Sequence, residues 1–557
     1  TYYDGSSYAN ILVKTREGRP IFIKGNKDFG FTNGAVNPQI LASVLSLYDG
    51  ERLKNATKNG EGIQTATADK EIKESLEKIK AKKGRVVIVS KTVASPSTYK
   101  AIDTFKSYIT GGNTITVDEN GDEVQIETTN GASFEHVEYD PVSYRGIRKA
   151  NKEAFGKSII PDYDFSEAKT IVSFSADFLN SWLLPTQFST QYIKRRDPDG
   201  KWVSKHYHFE SNMSITGSNA DERVMLKPSE EAAVIAALLK ACGGSVSGVD
   251  TSLPASVSQE VIDRIAKQLK TGNGLVVAGS NNVGVQLLVN KLNHVIGAYK
   301  STINMNNPIN LYQSNDDRMM KLVKDITSGK APDAVIFYNV NPVYNTPVGK
   351  ELAAALENIS LTVSTAAYAD ETASKCTYVV PDHHTLEAWN DFSPKANEYA
   401  VAQPTIRPLH DTYAAQESFL VWAGKAKRQG KDSKVYYDFM RETWSENGFD
   451  NEAYKDFNDY WNNVVHNSAM SLEAKSNSVP EFNGGALSGI SKSLPKGGEL
   501  EVALYQKAAI GIGEQANNPW LQEFPDPITR NAWDNYATVS KKDADKLGIE
   551  NRVTSNG

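Results

Sequence analysis

Two adjacent histidines are the residues whose types most suggest metal chemistry. His383 and His384 follow a predicted strand that ends near Pro381, and Asp382 and Glu387 lie beside them. Neighbouring residues point in different directions, whereas a zinc site needs three or four ligands that converge on one ion. We therefore predict that the pair lines a polar pocket or a hydrogen-bonded surface and does not bind a metal.

A second histidine pair, His206 and His208, has the spacing of residues on one face of a strand. Two imidazoles on one face can bind a metal ion only with at least one further ligand, and none lies nearby in the sequence. We expect both side chains to be exposed to solvent.

The segment Asp370-Glu371-Thr372 clusters two carboxylates near the end of a predicted strand. A carboxylate at such a position can act as a general acid or base. Asp and Thr also cap the first turn of a helix by accepting hydrogen bonds from its free amides. Capping is the interpretation that these residues favour.

A glycine-rich turn, Gly279 to Gly284, follows a predicted strand and opens a helix, where backbone amides can hold a phosphate. It has neither the Gly-x-Gly-x-x-Gly spacing of dinucleotide sites nor the Gly-Lys-Ser/Thr ending of nucleotide-binding P-loops. A tight turn without a ligand is the favoured interpretation, and a soluble nucleotide-binding enzyme is the alternative.

The cysteine count excludes thiolate-based electron transfer by this chain. Only Cys242 and Cys376 are present, whereas a cubane iron–sulfur cluster normally takes four thiolates. The sequence does not decide whether these two form a disulfide. No Gly-x-Ser-x-Gly nucleophile motif occurs either. The residues by themselves thus identify no catalytic apparatus.

The elements that would position these residues are short apolar strands that alternate with helices. The predicted strands are Arg85–Ser90, Thr170–Phe174, Leu275–Ala278, Ala334–Phe337, Leu361–Val363 and Tyr378–Val380. The predicted helices cover about 41–47, 69–82, 96–109, 232–239, 283–296 and 348–356. This alternation predicts parallel, doubly wound sheets, in which ligands bind beyond the carboxyl ends of the strands.

Other segments have different signatures. Ile11–Val13 and Pro20–Ile23 flank a Glu-Gly-Arg turn and predict a hairpin. The polar stretch 111–131 predicts a hairpin or a loop, and the Gly- and Ser-rich stretch 243–258 predicts a linker. From about Leu500 the pattern changes to short strands and turns, which predicts a separate β-rich domain.

The composition limits the class of protein. A chain of 557 residues is too long for one hydrophobic core, so several domains are expected. The net charge of −6, with both signs interspersed, argues against nucleic-acid binding. The charged stretch Lys70 to Lys83 has the spacing of a solvated helix face. No stretch approaches the ~20 apolar residues of a membrane span.

Several segments, in order along nearly the whole chain, resemble the molybdopterin oxidoreductase (dimethyl sulfoxide reductase) superfamily. Three of them lie near the N-terminus: Gly18-Arg19-Pro20 to Asn26, Gly34-Ala35 and Ala42 to Asp49. Later ones are Ser95-Pro96-Ser97, Asn341 to Tyr344, Asp370 to Ala373, Leu386 to Trp389 and Asn517 to Glu523. Asp164 to Leu179 and Glu210 to Asp221 resemble the branch found in alternative complex III, a bacterial quinol-oxidising respiratory complex.

The departures from this family bear on cofactors. Asn37 stands near the position where a cysteine follows the Gly-Ala pair in cluster-bearing members, and no cysteine precedes Cys242. The resemblance also implies a branch without the molybdenum cofactor, and no side chain can be nominated as the metal's ligand. Four positions match the family's pterin pocket and are candidates for a vestigial one: Asn341, Thr372, Glu387 and Asn518.

The resemblance implies an α/β, molybdopterin oxidoreductase-like multidomain fold, with doubly wound parallel sheets and a partly complete C-terminal β-barrel domain. We expect a β-rich segment without cysteines over 1–60, an α/β domain over 61–250 and a doubly wound domain over 251–400. A segment returning to the first α/β domain would cover 401–498, and the β-barrel domain would begin at 499–557.

The function implied is that of a structural, cofactor-free part of alternative complex III, with no catalytic residue and no metal ligand in this chain. The resemblance implies that a ferredoxin-like iron–sulfur half follows it in the same polypeptide, because Gly557 falls where the family's C-terminal β-barrel would be only partly complete. The expected partners are multihaem cytochrome c subunits with c-type haems and quinol-binding integral membrane subunits, at the periplasmic face of the bacterial inner membrane. The alternative is an active molybdenum pterin oxidoreductase of the polysulfide or thiosulfate reductase type.

Overall fold

The computed structural model describes residues 1–112, 131–447 and 453–550, together with the backbone of two short strands between 113 and 130. The first strands are β1 (Tyr2–Tyr3), β2 (Tyr8–Ala9), β3 (Ile11–Arg16), β4 (Arg19–Gly25), β5 (Thr57–Lys58), β6 (Glu61–Gly62), β7 (Arg85–Ser90), β8 (Thr116–Val117), β9 (Val124–Gln125), β10 (Ser133–Glu138) and β11 (Ile160–Tyr163). The later strands are β12 (Thr170–Phe174), β13 (Lys205–Glu210), β14 (Glu222–Met225), β15 (Gly274–Ala278), β16 (Ile303–Ile309), β17 (Ala334–Tyr338), β18 (Leu361–Ser364), β19 (Tyr378–Val379), β20 (Asn390–Lys395), β21 (Glu398–Ala402) and β22 (Ala469–Ser471).

Helices separate most of these strands. Up to residue 300 they are α1 (Pro38–Ser46), α2 (Thr65–Ala81), α3 (Pro96–Thr110), α4 (Arg145–Phe155), α5 (Pro185–Ile193), α6 (Ile215–Ser218), α7 (Glu231–Ala241), α8 (Gln259–Leu269) and α9 (Val283–Val295). The later helices are α10 (Asp316–Thr327), α11 (Pro342–Asn345), α12 (Gly349–Leu356), α13 (Ala415–Trp422), α14 (Val435–Asn447), α15 (Phe457–Asn467), α16 (Pro519–Glu523) and α17 (Lys541–Leu547).

The larger sheet has seven strands in the order β10-β7-β17-β18-β19-β5-β6. The strands from β10 to β19 run parallel, and β5 and β6 add an antiparallel edge. β7, β17 and β18 are continuous apolar runs because helices cover both faces of the sheet. From β7 the chain adds β10 on one side of the sheet, and β17, β18 and β19 are added later on the other side. The boundary between β7 and β17 is therefore a topological switch point, where ligands bind in such sheets.

A second doubly wound sheet has the order β14-β13-β12-β15, with all four strands parallel. Helices α4, α7, α8 and α9 pack on one face, around a core that includes Phe174, Phe209 and Leu288. An aromatic-rich core with Phe165, Phe178 and Trp182 covers the other face. Here the switch point lies between β12 and β15.

Antiparallel elements surround these two sheets. β11, β16, β20, β21 and β22 form a five-stranded sheet, and β3 pairs with β4 in the predicted N-terminal hairpin. The predicted hairpin at 111–131 lies partly outside the described residues, but its strands β8 and β9 do pair antiparallel.

The local predictions for strands and helices are confirmed with small changes of boundary. Ser95 caps α3, with Pro96 in the first turn, because its hydroxyl accepts from the amide of Thr98 at 2.9 Å. Helix α7 is a buried helix, as the apolar run Ala232–Leu239 predicts.

One expectation fails near the C-terminus. In place of the short strands predicted from Leu500, the described residues 500–550 form turns, the helices α16 and α17 and a single bridge between Lys507 and Gly511. Leu500, Val502 and Leu504 do alternate as in a strand, but they are exposed and their backbone has no sheet to join.

The two doubly wound sheets do not follow the boundary proposed at residue 250. β7 and β10 come from the first α/β segment, yet β7 pairs with β17 from the second. β15, also from the second segment, likewise pairs with β12. The other proposed boundaries stay predictions. Among the residues that the structure describes, no helix has both the length and the apolar character of a membrane span.

Candidate functional site

The first cleft lies at the carboxyl ends of β7, β17, β18 and β19, at the switch point of the seven-stranded sheet. Its volume is about 280 Å³, and it is lined by Lys91 to Ser95 after β7 and Asn339 to Asn341 after β17. Thr365 to Ala367 and Asp382 to Thr385 line it after β18 and β19. This is where a parallel sheet of this topology places a ligand.

Burial controls the protonation of the acidic and imidazole groups in the first cleft. Loss of solvent raises the pKa of Asp382 to about 7, although the amides of Ala415 and His383 donate to this carboxyl. Burial likewise raises the pKa of Asp370 to about 6. It lowers the pKa of His383 and His384 to about 4, so both imidazoles are neutral at pH 7.

An ion pair between buried Lys91 and partly exposed Glu514 lines one side of the first cleft. The Lys91 side chain is 1% exposed, and its Nζ lies 2.5 Å from Glu514 Oε2. The same ammonium donates to the carbonyl of Asp4 at 3.0 Å. Burial raises the pKa of Glu514, and the charge of Lys91 opposes that rise. The positive charge of Lys91 at this end of the sheet is therefore paired with a carboxylate of the same chain, Glu514.

Glu514 belongs to a segment, residues 506–515, that we call the C-terminal strap. Gln39 of α1 fixes the strap, since its Nε2 donates to the carbonyls of Ala508 and Ala509 at 2.6 and 2.8 Å. Gln515 Nε2 returns a hydrogen bond to the Gln39 carbonyl at 3.0 Å. The strap is thus held against α1 by hydrogen bonds from glutamine side chains to backbone carbonyls.

The second cleft lies at the carboxyl ends of β12, β13 and β15, the switch point of the four-stranded sheet. Its volume is about 360 Å³, and Ser175, Glu210 and Gly279 follow or end those strands. Its acidic residues are Asp177, Glu210 and Asp526, and the described lining contains no Lys, Arg or His. The cleft is therefore acidic.

The C-terminal strap lies between the two clefts. A small cavity of about 40 Å³ shares Glu514 and Gln515 with the first cleft and Gln506 and Ala508 with the second. Residues of the C-terminal strap therefore line both clefts, with this small cavity adjoining each of them.

His206 and His208 are buried, contrary to the expectation that both are exposed. They lie on one strand face as predicted, and Ser173 Oγ of β12 lies 2.8 Å from His206 Nε2 and 2.5 Å from His208 Nδ1. Burial and the neighbouring His208 hold the pKa of His206 well below its usual range. Sequence reasoning failed here because Ser173, which contacts both imidazoles, lies on another strand, β12.

Glu210 completes this network without making it an active site. Its Oε2 lies 2.9 Å from His208 Nε2, and Arg223 Nε donates to its Oε1 at 2.5 Å. Burial raises the pKa of Glu210, but His208, Ser214 and Arg223 lower it to about 2. Ser173 and His208 have the residue types of a nucleophile and base, but both side chains are fully buried within the sheet. The network is structural.

The four candidates for a vestigial pterin pocket all make hydrogen bonds within the chain. Asn341 Oδ1 accepts from the amide and the hydroxyl of Thr372, which in turn accepts from the amide of Val343. Glu387 pairs with Arg52 at 2.7 Å. Asn518 Nδ2 donates to the carbonyl of Ala42 at 2.9 Å. Of the four, Asn341 alone is among the residues that line the first cleft.

The acidic segment at 370–372 is a cap, as predicted. Asp370 Oδ1 accepts from the amides of Thr372 and Ala373 at 3.0 and 2.7 Å, at the start of a single 3-10 turn. Glu371 accepts from Asn341 Nδ2 at 2.7 Å.

His383 and His384 line the first cleft, as predicted, and both are hydrogen-bonded. His383 Nδ1 lies 2.8 Å from Thr412 Oγ1, and His384 Nε2 lies 2.9 Å from Ser46 Oγ. In the described part of the chain, no three His, Cys, Asp or Glu side chains converge in the way that a metal site requires. Cys242 and Cys376 are both buried free thiols.

The turn at Gly279–Gly284 is a tight turn, as favoured above. A Cβ on Gly279 would lie 2.2 Å from the carbonyl oxygen of Ser175, so the close approach of two loops requires glycine. Asn282 caps α9 by accepting from the amide of Val285, and its Nδ2 donates to the carbonyl of Ser493 at 2.6 Å. The Asn282 side chain thus occupies the Val285 amide at the start of α9.

Asn282→Ala is expected to lower the free energy of unfolding by about 1–2 kcal/mol, because the α9 cap and the bond to Ser493 are both lost. Asn282→Asp keeps the cap acceptor and should lose less than half of that amount. Urea denaturation followed by circular dichroism measures both variants. Equal losses for the two would show that the cap contributes little.

Sequence reasoning missed Lys91 and Glu514. Lys91 follows the predicted strand Arg85–Ser90 directly, and a charged residue at a strand end was the available signal. Glu514 gives no comparable signal, since it lies in a turn-rich segment more than 400 positions away from its partner.

Comparison with known proteins supports the fold. No protein-family model matches the chain. A curated relative, the molybdopterin-binding-like subunit of menaquinone reductase from Nitratidesulfovibrio vulgaris, is 22% identical over 97% of this chain and 79% of its own length. Acetylene hydratase from Pelobacter acetylenicus superposes with a TM-score of 0.53 at 11% identity, over 83% of this chain and 72% of that one. Together with the two doubly wound sheets, these likenesses give the chain a molybdopterin oxidoreductase-like fold.

Proposed function

We propose that this chain is a structural, cofactor-free subunit of a quinone-linked respiratory oxidoreductase complex of the alternative complex III type. The relative from Nitratidesulfovibrio vulgaris supports the quinone link, since its name assigns it to a menaquinone reductase. The resemblance of 164–179 and 210–221 to the alternative complex III branch supports the finer assignment.

The observation that carries the proposal is that neither cleft, among the residues that the structure describes, has a lysine or arginine free to pair with an anion. A pterin guanine dinucleotide carries an anionic pyrophosphate, which proteins hold with free amides or cations. The side-chain cations at the first cleft are Lys91 and Arg52, and both are committed to Glu514 and Glu387. Among the described residues, the lining of the second cleft includes Asp177 and Asp526 and no Lys, Arg or His. This shortage of free side-chain cations supports the proposal of a cofactor-free chain.

The two thiols are not placed to hold a metal at either cleft. Cys242 and Cys376 lie in separate apolar cores, and neither is among the residues that line the two clefts. A chain with this fold and without redox groups of its own contributes surface and shape. Its proposed partners are multihaem cytochrome c subunits, a ferredoxin-like iron–sulfur half and quinol-binding integral membrane subunits, at the periplasmic face of the inner membrane.

The test is purification of the detergent-solubilised complex through an affinity tag on this chain, followed by subunit identification, haem spectroscopy and elemental analysis. We expect c-type haem and polytopic subunits to copurify, with iron present and with molybdenum and tungsten far below one atom per complex. An active molybdenum enzyme purified from the same host serves as the positive control for cofactor supply.

Two results would contradict the proposal. Molybdenum or tungsten near one atom per complex would favour the alternative, an active molybdenum pterin oxidoreductase of the polysulfide or thiosulfate reductase type. Recovery of this chain alone, from membranes in which the tag is accessible, would remove the role in a respiratory complex.

A further inference from the structure

The N-terminal hairpin, made of β3 and β4, has one packed face and one exposed face. Ile23 of the packed face is 0% exposed and belongs to a core that includes residues of α1. On the opposite face Leu12 and Phe22 are 41% and 49% exposed. The register pairs Leu12 with Lys24 and Lys14 with Phe22, so the two apolar side chains are diagonal neighbours across the strands. The hairpin therefore presents apolar side chains to solvent.

Four cations share the exposed face of the hairpin: Lys14, Arg16, Arg19 and Lys24. In the part of the chain that the structure describes, none of the four forms an ion pair. Arg16 lies directly opposite Arg19, and like charges in such a pair destabilise a hairpin. We call the surface formed by these cations with Leu12 and Phe22 the basic hairpin face. Because no described residue compensates its charge, this face suits an anionic partner.

The charge of the basic hairpin face contrasts with that of the whole chain. Residues 11–25 contain four cations and one acid, Glu17, which gives this segment a net charge of +3. The whole chain carries −6. Charges on exposed side chains are screened beyond about 10 Å at ordinary ionic strength, so an anionic surface attracts the hairpin despite the negative charge of the rest of the chain. The contrast turns the hairpin towards such a surface.

The size of the basic hairpin face decides between a protein and a lipid surface. The six residues of β3 at ~3.3 Å each, beside a second strand ~4.8 Å away, give a face of roughly 200 Å². A stable protein interface takes about 800 Å² from each partner. A bilayer needs no matching surface, because apolar side chains enter the headgroup–acyl boundary while cations contact the lipid phosphates. Ile21, which is 44% exposed at the bulge of β4, adds a third apolar side chain.

We propose that the basic hairpin face lies flat on an anionic lipid bilayer. Leu12, Ile21 and Phe22 reach the headgroup–acyl boundary, and the four cations contact lipid phosphates. The turn at Glu17 and Gly18 lies along the surface, since a carboxylate at the tip opposes insertion into the bilayer. The contact involves neither cleft and does not depend on the function proposed above.

The test is sedimentation of the purified full chain with sucrose-loaded vesicles. One set contains phosphatidylcholine alone, and in the other about one third of the lipid is phosphatidylglycerol. We expect saturable binding to the anionic vesicles and at least about ten-fold weaker binding to the neutral ones. Raising the NaCl concentration from about 0.1 M to about 0.5 M should weaken the binding to the anionic vesicles, because it shortens the screening distance.

Variants locate the binding on the hairpin. Lys14→Gln with Lys24→Gln is expected to raise the Kd for anionic vesicles about 25-fold, from about five-fold for each cation. Phe22→Ser should raise it at least about five-fold, because an exposed apolar side chain no longer enters the bilayer. Lys541→Gln with Lys542→Gln is the matched control, since both lysines are exposed on α17 and the change of net charge is the same. This control should stay within about two-fold of the unmodified chain.

Labelled poly-L-glutamate separates a lipid surface from an acidic protein, because it offers carboxylates without an apolar interior. We expect Phe22→Ser to weaken binding to the anionic vesicles and to leave any binding to poly-L-glutamate unchanged. The proposal is overturned if the anionic vesicles do not bind, or if both hairpin variants bind them as the unmodified chain does. It is also overturned if the hairpin variants weaken binding to poly-L-glutamate alone, which would identify an acidic protein as the partner.

Discussion

Glu387→Ala is expected to lower the free energy of unfolding by about 3–5 kcal/mol, because it leaves a buried guanidinium without its partner. The Arg52 and Glu387 side chains are 1% and 0% exposed, and Arg52 Nη2 lies 2.7 Å from Glu387 Oε2. Glu387 also accepts from the amides of His384 and Leu409 at 3.0 and 2.8 Å. The loss is measured by urea denaturation at pH 7.

Two comparisons isolate the cause of that loss. Glu74→Ala removes one member of an exposed pair, Lys70–Glu74 at 3.9 Å, and should change the stability by less than about 0.5 kcal/mol. The double variant Arg52→Met with Glu387→Leu removes both charges and is expected to recover much of the loss. A change below about 1 kcal/mol for Glu387→Ala would show that the pair does not hold the N-terminal segment to the first cleft.

Asp382→Asn is expected to stabilise the protein at pH 8 by roughly 2–4 kcal/mol, the second largest effect. Burial raises the folded-state pKa of Asp382 to about 7 from an ordinary 3.8. The folded chain therefore holds this proton more tightly than the unfolded chain. The resulting stability is present below about pH 4 and is lost as the pH rises towards 7.

The asparagine variant avoids this loss, since it is neutral at every pH and its Oδ1 can still accept from the amides of His383 and Ala415. Unfolding midpoints in urea between pH 4 and 8 should show its advantage growing with pH and nearly vanishing at pH 4. Asp103→Asn, at a side chain that is 68% exposed, is the control without such a trend. If the stability difference between Asp382→Asn and the unmodified protein does not change with pH, the pKa of Asp382 is not raised in the folded state.

The individual strands and helices could be predicted because their signals are local. β7, β12 and β17 are short continuous apolar runs, and the Ser95-Pro96 pair marks the start of α3. The partners of each strand could not be predicted. β7 pairs with β17, which lies far along the chain, and apolar strands of similar length carry no information on which neighbour they will take.

For the candidate site, too, the local features could be predicted and the contacts between distant residues could not. Strand ends identified the capping role of Asp370 and the cleft position of His383. The burial of His206 and the Lys91–Glu514 pair were not predictable, because a polar side chain is buried only when a partner satisfies it. Those partners come from other elements, and a single sequence does not show them.

The placement of β7 between β10 and β17 affects the synthesis of this protein. During translation β10 emerges soon after β7, but Ala334 of β17 follows Ser90 by roughly 240 residues, which takes roughly 12–50 s at ordinary elongation rates. Throughout that interval the Val86-Val87-Ile88-Val89 strand has one open edge, with the apolar, uncharged character of an aggregation-prone segment. We therefore expect this edge to be the most aggregation-prone part of the nascent chain until β17 emerges and the centre of the larger sheet can form.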